Sequence, residues 1–322
     1  MKLIPLFIPL ILLFISCSQD QNNKTLTLAH SLPVTHPVHQ GIEVFKKELH
    51  QLSKGKLNVK IYPDSQLGDE REALELLQIG SLSMTKVSAS TLVNFVPEYG
   101  VLNIPYIFKN KTHKFKVLEG EIGKSLLEKG NDKWLRGLCF FDAGSRCFYT
   151  SKKPIKSAVD VTGLKIRVMN DPVAVKTVKA LSGSPTPMAY GELYTALQQG
   201  VVDGAENNIP SFVSSRHFEI CKYYSFDEHT SMPDVLIMGT KSLERLSAEE
   251  KEWVFKAAKI SAEAQKGFWE ASEKEGLAIL EKEGVQLFYP EKKDFTLKTT
   301  SVLDSFTDPK IKELIEAIQN VN

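Results

Sequence analysis

The chain has 322 residues, 42% hydrophobic and 25% charged, with 40 basic against 39 acidic side chains. That length suggests roughly two globular lobes. Lys2 falls in a segment expected to be removed, so the mature chain balances at 39 against 39 and has no basic excess to neutralise nucleic-acid phosphates.

Residues 1–17, MKLIPLFIPLILLFISC, read as an export signal rather than as part of the fold. Lys2 gives a positive start, and the apolar run Leu3–Ile15 covers 13 residues, short for a spanning helix. The run ends at Ser16–Cys17, before the polar SQDQNNK. A small residue ahead of the cysteine resembles a bacterial lipobox, although Phe14 and Ile15 are less typical at the preceding positions. The expectation is a signal peptide over 1–16, a lipid on Cys17, a tether over 17–24, and a periplasmic protein held to a membrane by the lipid alone. An ordinary cleaved signal with an incidental cysteine is the alternative. Cys139, Cys147 and Cys221 remain, without metal-ligand spacing. Export permits one disulfide with one thiol left over, and three small buried hydrophobes fit equally well.

After the tail, TLTLAHS predicts a strand ending at His30. Val38, Ile42, Phe45, Leu49 and Leu52 recur at spacings of four and three, an amphipathic helix stopped by Gly55. LNVKIYP is a strand, and GDEREALELLQIG a helix with acids in its first turn. VSAS and VLNIPYIF are short strand or loop elements, and 111–130 is helical. WLRGLCFFDAGSRCFYTS predicts two strands around a glycine-containing turn. In GLKIRVMNDP, Leu164, Ile166 and Val168 alternate with Lys165, Arg167 and Met169, a strand with one apolar face that Asn170 and Asp171 stop. A helix from Pro172 to Leu181 follows, then a helix in GELYTALQQG and a strand running into a turn in VVDGAENN. This alternation predicts an α/β architecture with largely parallel sheets. From Ser247 to about Lys282 no proline interrupts good helix formers, and Ser247 with Glu250 forms a capping box. Gly284 is the expected stop, with Gly267 and Gly276 as weak points. At 1.5 Å per residue such a helix spans roughly 54 Å, more than one small lobe.

Catalytic signatures are absent: no GxSxG, HExxH, P-loop or GxGxxG after a strand. His30, His36 and His39 lack the spacing of a known metal box, and His30 or His36 could face a pocket instead. No metal or cofactor is expected. What the chain does hold is a set of polar residues at strand ends that precede helices: Arg146, Arg167 with Asn170, Tyr190, and Glu206 with Asn207 and Asn208. In α/β sheets ligands bind beyond the carboxyl ends of strands. A guanidinium fork matches a carboxylate, amides add donors and acceptors, and a tyrosine ring supplies a flat wall. Together they suit a small organic acid.

The runs GSRCFYTSKKPIKSAVDVTGLKIRVMNDP and SPTPMAYGELYTALQQGVVDGAENN resemble the DctP family, the substrate-binding proteins of tripartite ATP-independent periplasmic (TRAP) transporters. YPDSQLGDEREALELLQIGSLSMT, FVPEYGVLNIPYIF and LSAEEKEWVFKAA are similar to the same family, so the resemblance covers nearly everything after residue 24. Ser83 departs from it, an acid being common there. The resemblance implies a two-lobed periplasmic-binding-protein fold of type II-like form, with crossing strands and the long helix across both lobes. Lobe I would comprise 25–144 and 233–272, and lobe II 145–232 and 273–322. It implies a non-enzymatic receptor that hands its ligand to a two-subunit membrane permease. Arg167 would clamp the ligand carboxylate, with Asn207 also touching it. Arg146, Asn170, Tyr190, Glu206 and Asp69 match pocket positions, with Asn208 beside them, and His30 and Ser90 match less securely. A sugar acid such as glucuronate or galacturonate is expected ahead of a four-carbon dicarboxylate, since two of these residues are carboxylates that would repel a second ligand carboxylate. A ligand sensor or an extracellular sugar-acid enzyme are the other classes.

Overall fold

The structure, a computed structural model, describes residues 23–321. The expected signal peptide and Cys17 lie outside the described residues. The chain first builds strand–helix units. KTLTLA forms β1 (Lys24–Ala29), and β2 (Leu57–Tyr62) pairs parallel beside it. Between them, α1 (Pro37–Leu52) starts at His36, whose ring accepts the Val38 N–H, and buries Val38, Ile42, Phe45 and Leu49. Next, α2 (Glu70–Ile79) opens on a capping box between Asp69 and Glu72 and ends at Gly80, whose φ of 84° costs a glycine little. The fully buried β3 (Met84–Ser88) leads into α3 (Ala89–Leu92). VLNIPYIF, read as strand or loop, instead falls largely in a 3-10 helix over Pro97–Asn103 and the turns after it. The predicted helical stretch 111–130 is two helices, α4 (Lys111–Glu119) and α5 (Glu121–Lys129), broken at Gly120. β4 (Leu135–Phe141) ends this first passage.

The second passage holds β5 (Arg146–Thr150), β6 (Lys165–Val168), α6 (Pro172–Ala180), β7 (Ser184–Pro187), α7 (Leu193–Gln198), β8 (Gly204–Asn207), α8 (Ile209–Ser214) and β9 (Tyr223–Thr230). The chain then returns through β10 (Asp234–Gly239), α9 (Thr240–Glu244) and α10 (Ala248–Lys282), and finishes with β11 (Gln286–Phe288), α11 (Lys292–Asp304) and α12 (Pro309–Gln319).

Two sheets form among the described residues, a five-stranded one ordered β2-β1-β3-β10-β4 and a six-stranded one ordered β11-β9-β5-β8-β6-β7. Each carries its own apolar core, so the molecule is two-lobed. Parallel pairing is less dominant than expected: among the described residues five strand pairs are parallel and four antiparallel. β10 runs antiparallel to β3 and β4, and β5 antiparallel to β8 and β9. The cause is the crossing chain: β4 and β5, adjacent in sequence, lie in different sheets, joined through 142–145, and β9 and β10 cross back through 231–233.

The long helix begins at the predicted Ser247–Glu250 capping box and runs for 35 residues, roughly 52 Å at the usual rise. It packs on α1 and β4 of the first lobe and on α8 of the second. Gly276, expected to weaken it, is a contact point, where a Cβ would come within 2.5 Å of Ile209 Cγ2. Gly41 on α1 does the same against α10, 2.8 Å from the Gln265 side chain. α11 packs on α6 and β9, but α12 returns to the first lobe, against α5, with Ile315 and Ile318 in that core. The expected second-lobe span 273–322 is therefore too long at its end. Cys139, Cys147 and Cys221 are buried and free. No helix among the described residues is long and apolar enough to cross a membrane.

Candidate functional site

A cleft of about 630 Å³ opens between the lobes. On the second-lobe side, Arg167 projects from the end of β6, only 2% exposed. Its Nε and Nη2 donate to the Met188 carbonyl at 3.1 and 2.8 Å, and its guanidinium carbon lies 5.8 Å from the centre of the Tyr190 ring. Among the described residues no carboxylate pairs with it and Nη1 has no hydrogen-bond partner. Burial and the neighbouring Arg146 charge lower its pKa. Tyr190 is fixed by its hydroxyl, 2.7 Å from Ser215 Oγ and 3.3 Å from the Ser211 carbonyl.

Arg146, at the start of β5, is the opposite case. Its Nε bonds Glu206 Oε2, its Nη2 donates to Glu206 Oε1 at 2.8 Å and to the Glu206 carbonyl at 2.6 Å, and its Nη1 donates to Asn207 Oδ1 at 2.9 Å. Behind Glu206, His229 places Nε2 3.6 Å from Glu206 Oε2 and Nδ1 2.6 Å from Asp227 Oδ2, its ring stacked on Phe148. Burial opposes charge on His229, but the two carboxylates outweigh it and lift its pKa to about 9. Burial would raise Glu206, yet Arg146 and His229 bring it down to about 2.

The predicted site residues divide. Arg167, Arg146, Asn207, Asn208, Asn170, Tyr190 and Asp69 line the cleft. Asn207 keeps its Nδ2 unpartnered among the described residues, because Oδ1 serves Arg146 and the Asn208 N–H. Asn208 is committed to structure, capping α8 through Ser211 N at 2.8 Å and donating to the Ala143 carbonyl at 3.1 Å. Asn170 sits at the rim, its carbonyl accepting from Asn94 Nδ2 at 2.6 Å across the cleft. Asp69 gives Oδ1 to the α2 cap at 2.9 Å.

Three expected residues do not line the cleft. Glu206 lies behind Arg146 as its counter-ion. His30 lies beneath the floor, its Nδ1 accepting the Leu32 N–H at 3.2 Å and its Nε2 3.0 Å from His39. Burial and Lys86 lower its pKa to about 3, so the ring is neutral. Ser90 donates to Asp171 Oδ2 at 2.6 Å, a bond between lobes that Asn103 Nδ2 joins at 2.8 Å. His36 does line the cleft and places Nε2 3.2 Å from Ser211 Oγ of the other lobe.

Sequence reasoning missed the first-lobe wall. Lys86 and Asp234 come from neighbouring strands, and Glu70 from the first turn of α2. Lys86 is 2% exposed and lies 3.1 Å from Glu70 Oε1 and 3.3 Å from Asp234 Oδ2. The one available signal was a lysine inside the buried strand MTKVS, whose other residues carry no charge.

Comparison with known proteins places this geometry among relatives. The family model described as "Bacterial extracellular solute-binding protein, family 7", DctP, matches residues 28–309. A TRAP periplasmic solute-binding protein from Bradyrhizobium sp. BTAi1, solved with α/β-D-galacturonate, superposes with a TM-score of 0.90 at 39% identity, covering 92% of this chain and 100% of that one. One from Polaromonas sp. JS666 with D-erythronate gives 0.90 at 34% identity, covering 93% and 99%. One from Roseobacter denitrificans with β-D-glucuronate gives 0.90 at 32%, covering 93% and 100%.

Proposed function

The chain belongs to the DctP family of bacterial extracellular solute-binding proteins, and from that premise we propose that it is the extracytoplasmic receptor of a TRAP transporter for a monocarboxylate sugar acid, glucuronate or galacturonate first. The observation that carries this reading is Arg167: a buried guanidinium facing an interlobe cleft with no carboxylate of its own. Such a cation is costly until an anion pairs with it. A ligand carboxylate completes the fork through Nη1, with Asn207 Nδ2 as a second donor and Tyr190 as a flat flank. Arg146, already paired with Glu206, adds shape to the cleft rather than a vacant charge site. Hexuronates in the galacturonate- and glucuronate-bound relatives support the ligand class.

Binding couples to movement because contacts come from both lobes. The crossing segments 142–145 and 231–233 and the spanning α10 form the articulation, and closure presents the loaded receptor to a two-subunit permease. Lobe I would comprise 25–144, 233–272 and α12, and lobe II 145–232 with 273 to about 308. Cys17 would carry a lipid tether. Fractionation of the host should then find the protein with membranes and Cys17→Ser released, whereas a soluble wild type with another N-terminus removes the tether.

A thermal-shift screen over uronates, aldonates, sialic acid and dicarboxylates tests the ligand class, since a ligand that binds only the folded state raises the melting temperature. The expected result is a clear rise with glucuronate or galacturonate. A rise with succinate or malate alone, and none with any sugar acid, overturns the hexuronate assignment while leaving the carboxylate clamp.

A further inference from the structure

The cleft wall supplied by the first lobe has a chemistry unlike the wall that carries Arg167. Lys86 Nζ has three N–H donors, of which one goes to Glu70 Oε1 at 3.1 Å and one to Asp234 Oδ2 at 3.3 Å. Glu70 is held further by the Ser88 N–H at 3.1 Å and by the Thr91 hydroxyl at 2.6 Å. Asp234 is 7% exposed, and among the described residues Lys86 is the partner of its Oδ2 while Oδ1 has none. Lys86, Glu70 and Asp234 all line the cleft. The wall therefore offers one spare N–H and one vacant carboxylate oxygen, side by side, with two acidic groups to one basic group; burial and Glu70 raise the Asp234 pKa while Lys86 opposes them.

That combination selects by charge and by hydrogen bonding. Adjacent hydroxyls of a polyol can accept from the ammonium and donate to the carboxylate, satisfying both groups without adding charge. A second carboxylate could take the N–H but would meet two carboxylates held in a low-dielectric cleft, where like charges are costly. We propose that Lys86, Glu70 and Asp234 form the wall that determines specificity, accepting the hydroxyl-bearing end of a monocarboxylate and rejecting a ligand charged at both ends. This rests on the sugar-acid reading of the same cleft. Asp234 opens β10 directly after the returning crossing segment, so a hydroxyl bound there also engages the articulation between the lobes.

The test is titration calorimetry on the mature chain with glucuronate, galacturonate and gluconate against glucarate, malate and succinate. Gluconate and glucarate differ only in one end group, a hydroxymethyl against a carboxylate. The wild type should bind its best sugar acid at least about 100-fold tighter than any dicarboxylate. Asp234→Asn, isosteric and one charge less negative, should weaken the sugar acid about 10-fold and narrow that ratio by about 10-fold or more. Glu70→Gln gives a second, independent reading should the first variant fail to fold. A wild type that binds a dicarboxylate within 10-fold of the sugar acid overturns the proposal without any variant. Tight, selective sugar-acid binding left unchanged in ratio by a folded Asp234→Asn or Glu70→Gln overturns it while the functional reading stands. Failure of every sugar acid to bind overturns both.

Discussion

The two walls of the cleft solve the problem of buried charge in opposite ways. The first-lobe wall pairs its charges internally and leaves one N–H and one carboxylate oxygen over: Lys86 has two carboxylates, and although burial opposes its charge, Asp234 and Glu70 raise its pKa. The second-lobe wall holds two guanidiniums and satisfies one. Arg146 is enclosed by Glu206, which His229 and Asp227 back, while among the described residues Arg167 has only a carbonyl and a ring. The difference separates charges that hold the fold from a charge that waits for ligand. On the proposed function it would also orient the ligand, carboxylate toward the second lobe and neutral end toward the first.

The contrast between the two arginines breaks most directly by mutation. Arg167→Ala should lose about 3–5 kcal/mol of binding, the usual cost of removing one partner of a buried ion pair. The ligand-free protein should unfold at an unchanged or higher denaturant concentration, because an unpaired buried cation has gone. Arg167→Lys should recover only part of the affinity, since a point charge does not copy the fork. Wild-type affinity in Arg167→Ala, by calorimetry with an unchanged circular-dichroism spectrum, would remove Arg167 from the site.

Glu206→Gln should do the reverse. It strands Arg146, so urea unfolding of the ligand-free protein should show a loss of about 3–5 kcal/mol. If it weakened binding without touching stability, Arg146 would be the vacant clamp and the comparison would invert.

Stability against pH sharpens the same division. His229 has a folded-state pKa raised to about 9. Its contribution is complete below the unfolded value of about 6.5 and is lost as pH rises through 9, up to about 3 kcal/mol. His30 and His217, held neutral by burial with pKa values of about 3, act oppositely, giving stability above about 6.5 that fades as pH falls toward 3. Unfolding free energy should therefore peak between roughly pH 6.5 and 8. His229→Gln should flatten the alkaline limb alone. An alkaline limb identical to wild type in that variant would contradict the assignment.

The smallest effect concerns the bonds between the walls. Asn94 donates across the rim to the Asn170 carbonyl, and Asn94→Ala should cost the closed form about 1 kcal/mol. Small-angle scattering should then show a larger mean radius of gyration without ligand and the wild-type value at saturation. Identical profiles for both proteins, with and without ligand, would argue against closure as the response to binding.

The second-lobe wall was legible in part, because Arg167 lies near the end of β6 before α6 and Asn207 at the end of β8 before α8, positions that local pattern marks, whereas Arg146 opens β5 instead of ending a strand. Arg167 follows from alternation in KIRV and the stop at Asn170 and Asp171. The spanning helix was legible in the same way, through its capping box and its unbroken run of helix formers. What local pattern could not supply was pairing. Glu206 reads as one more pocket acid until β8 is laid against β5 and its carboxylate meets Arg146. Ser90 reads as a pocket hydroxyl until the lobes meet and Asp171 takes it. α12 reads as a plain amphipathic helix, and only its packing on α5 returns it to the first lobe.

The sequence by itself determined most of the elements and the guanidinium near the end of β6, because periodicity, caps and strand termini are set by neighbours along the chain. Tertiary structure alone decided which charges are spent and which are free. Lys86, Glu70 and Asp234 are separated by up to 164 positions in number, 234 less 70, yet lie within 3.3 Å contacts of one another through Lys86. Whether a buried charge is structural or functional depends on its partners across such distances, since burial makes every charge costly and the Coulomb attraction of a partner, which only folding brings near, is what offsets it.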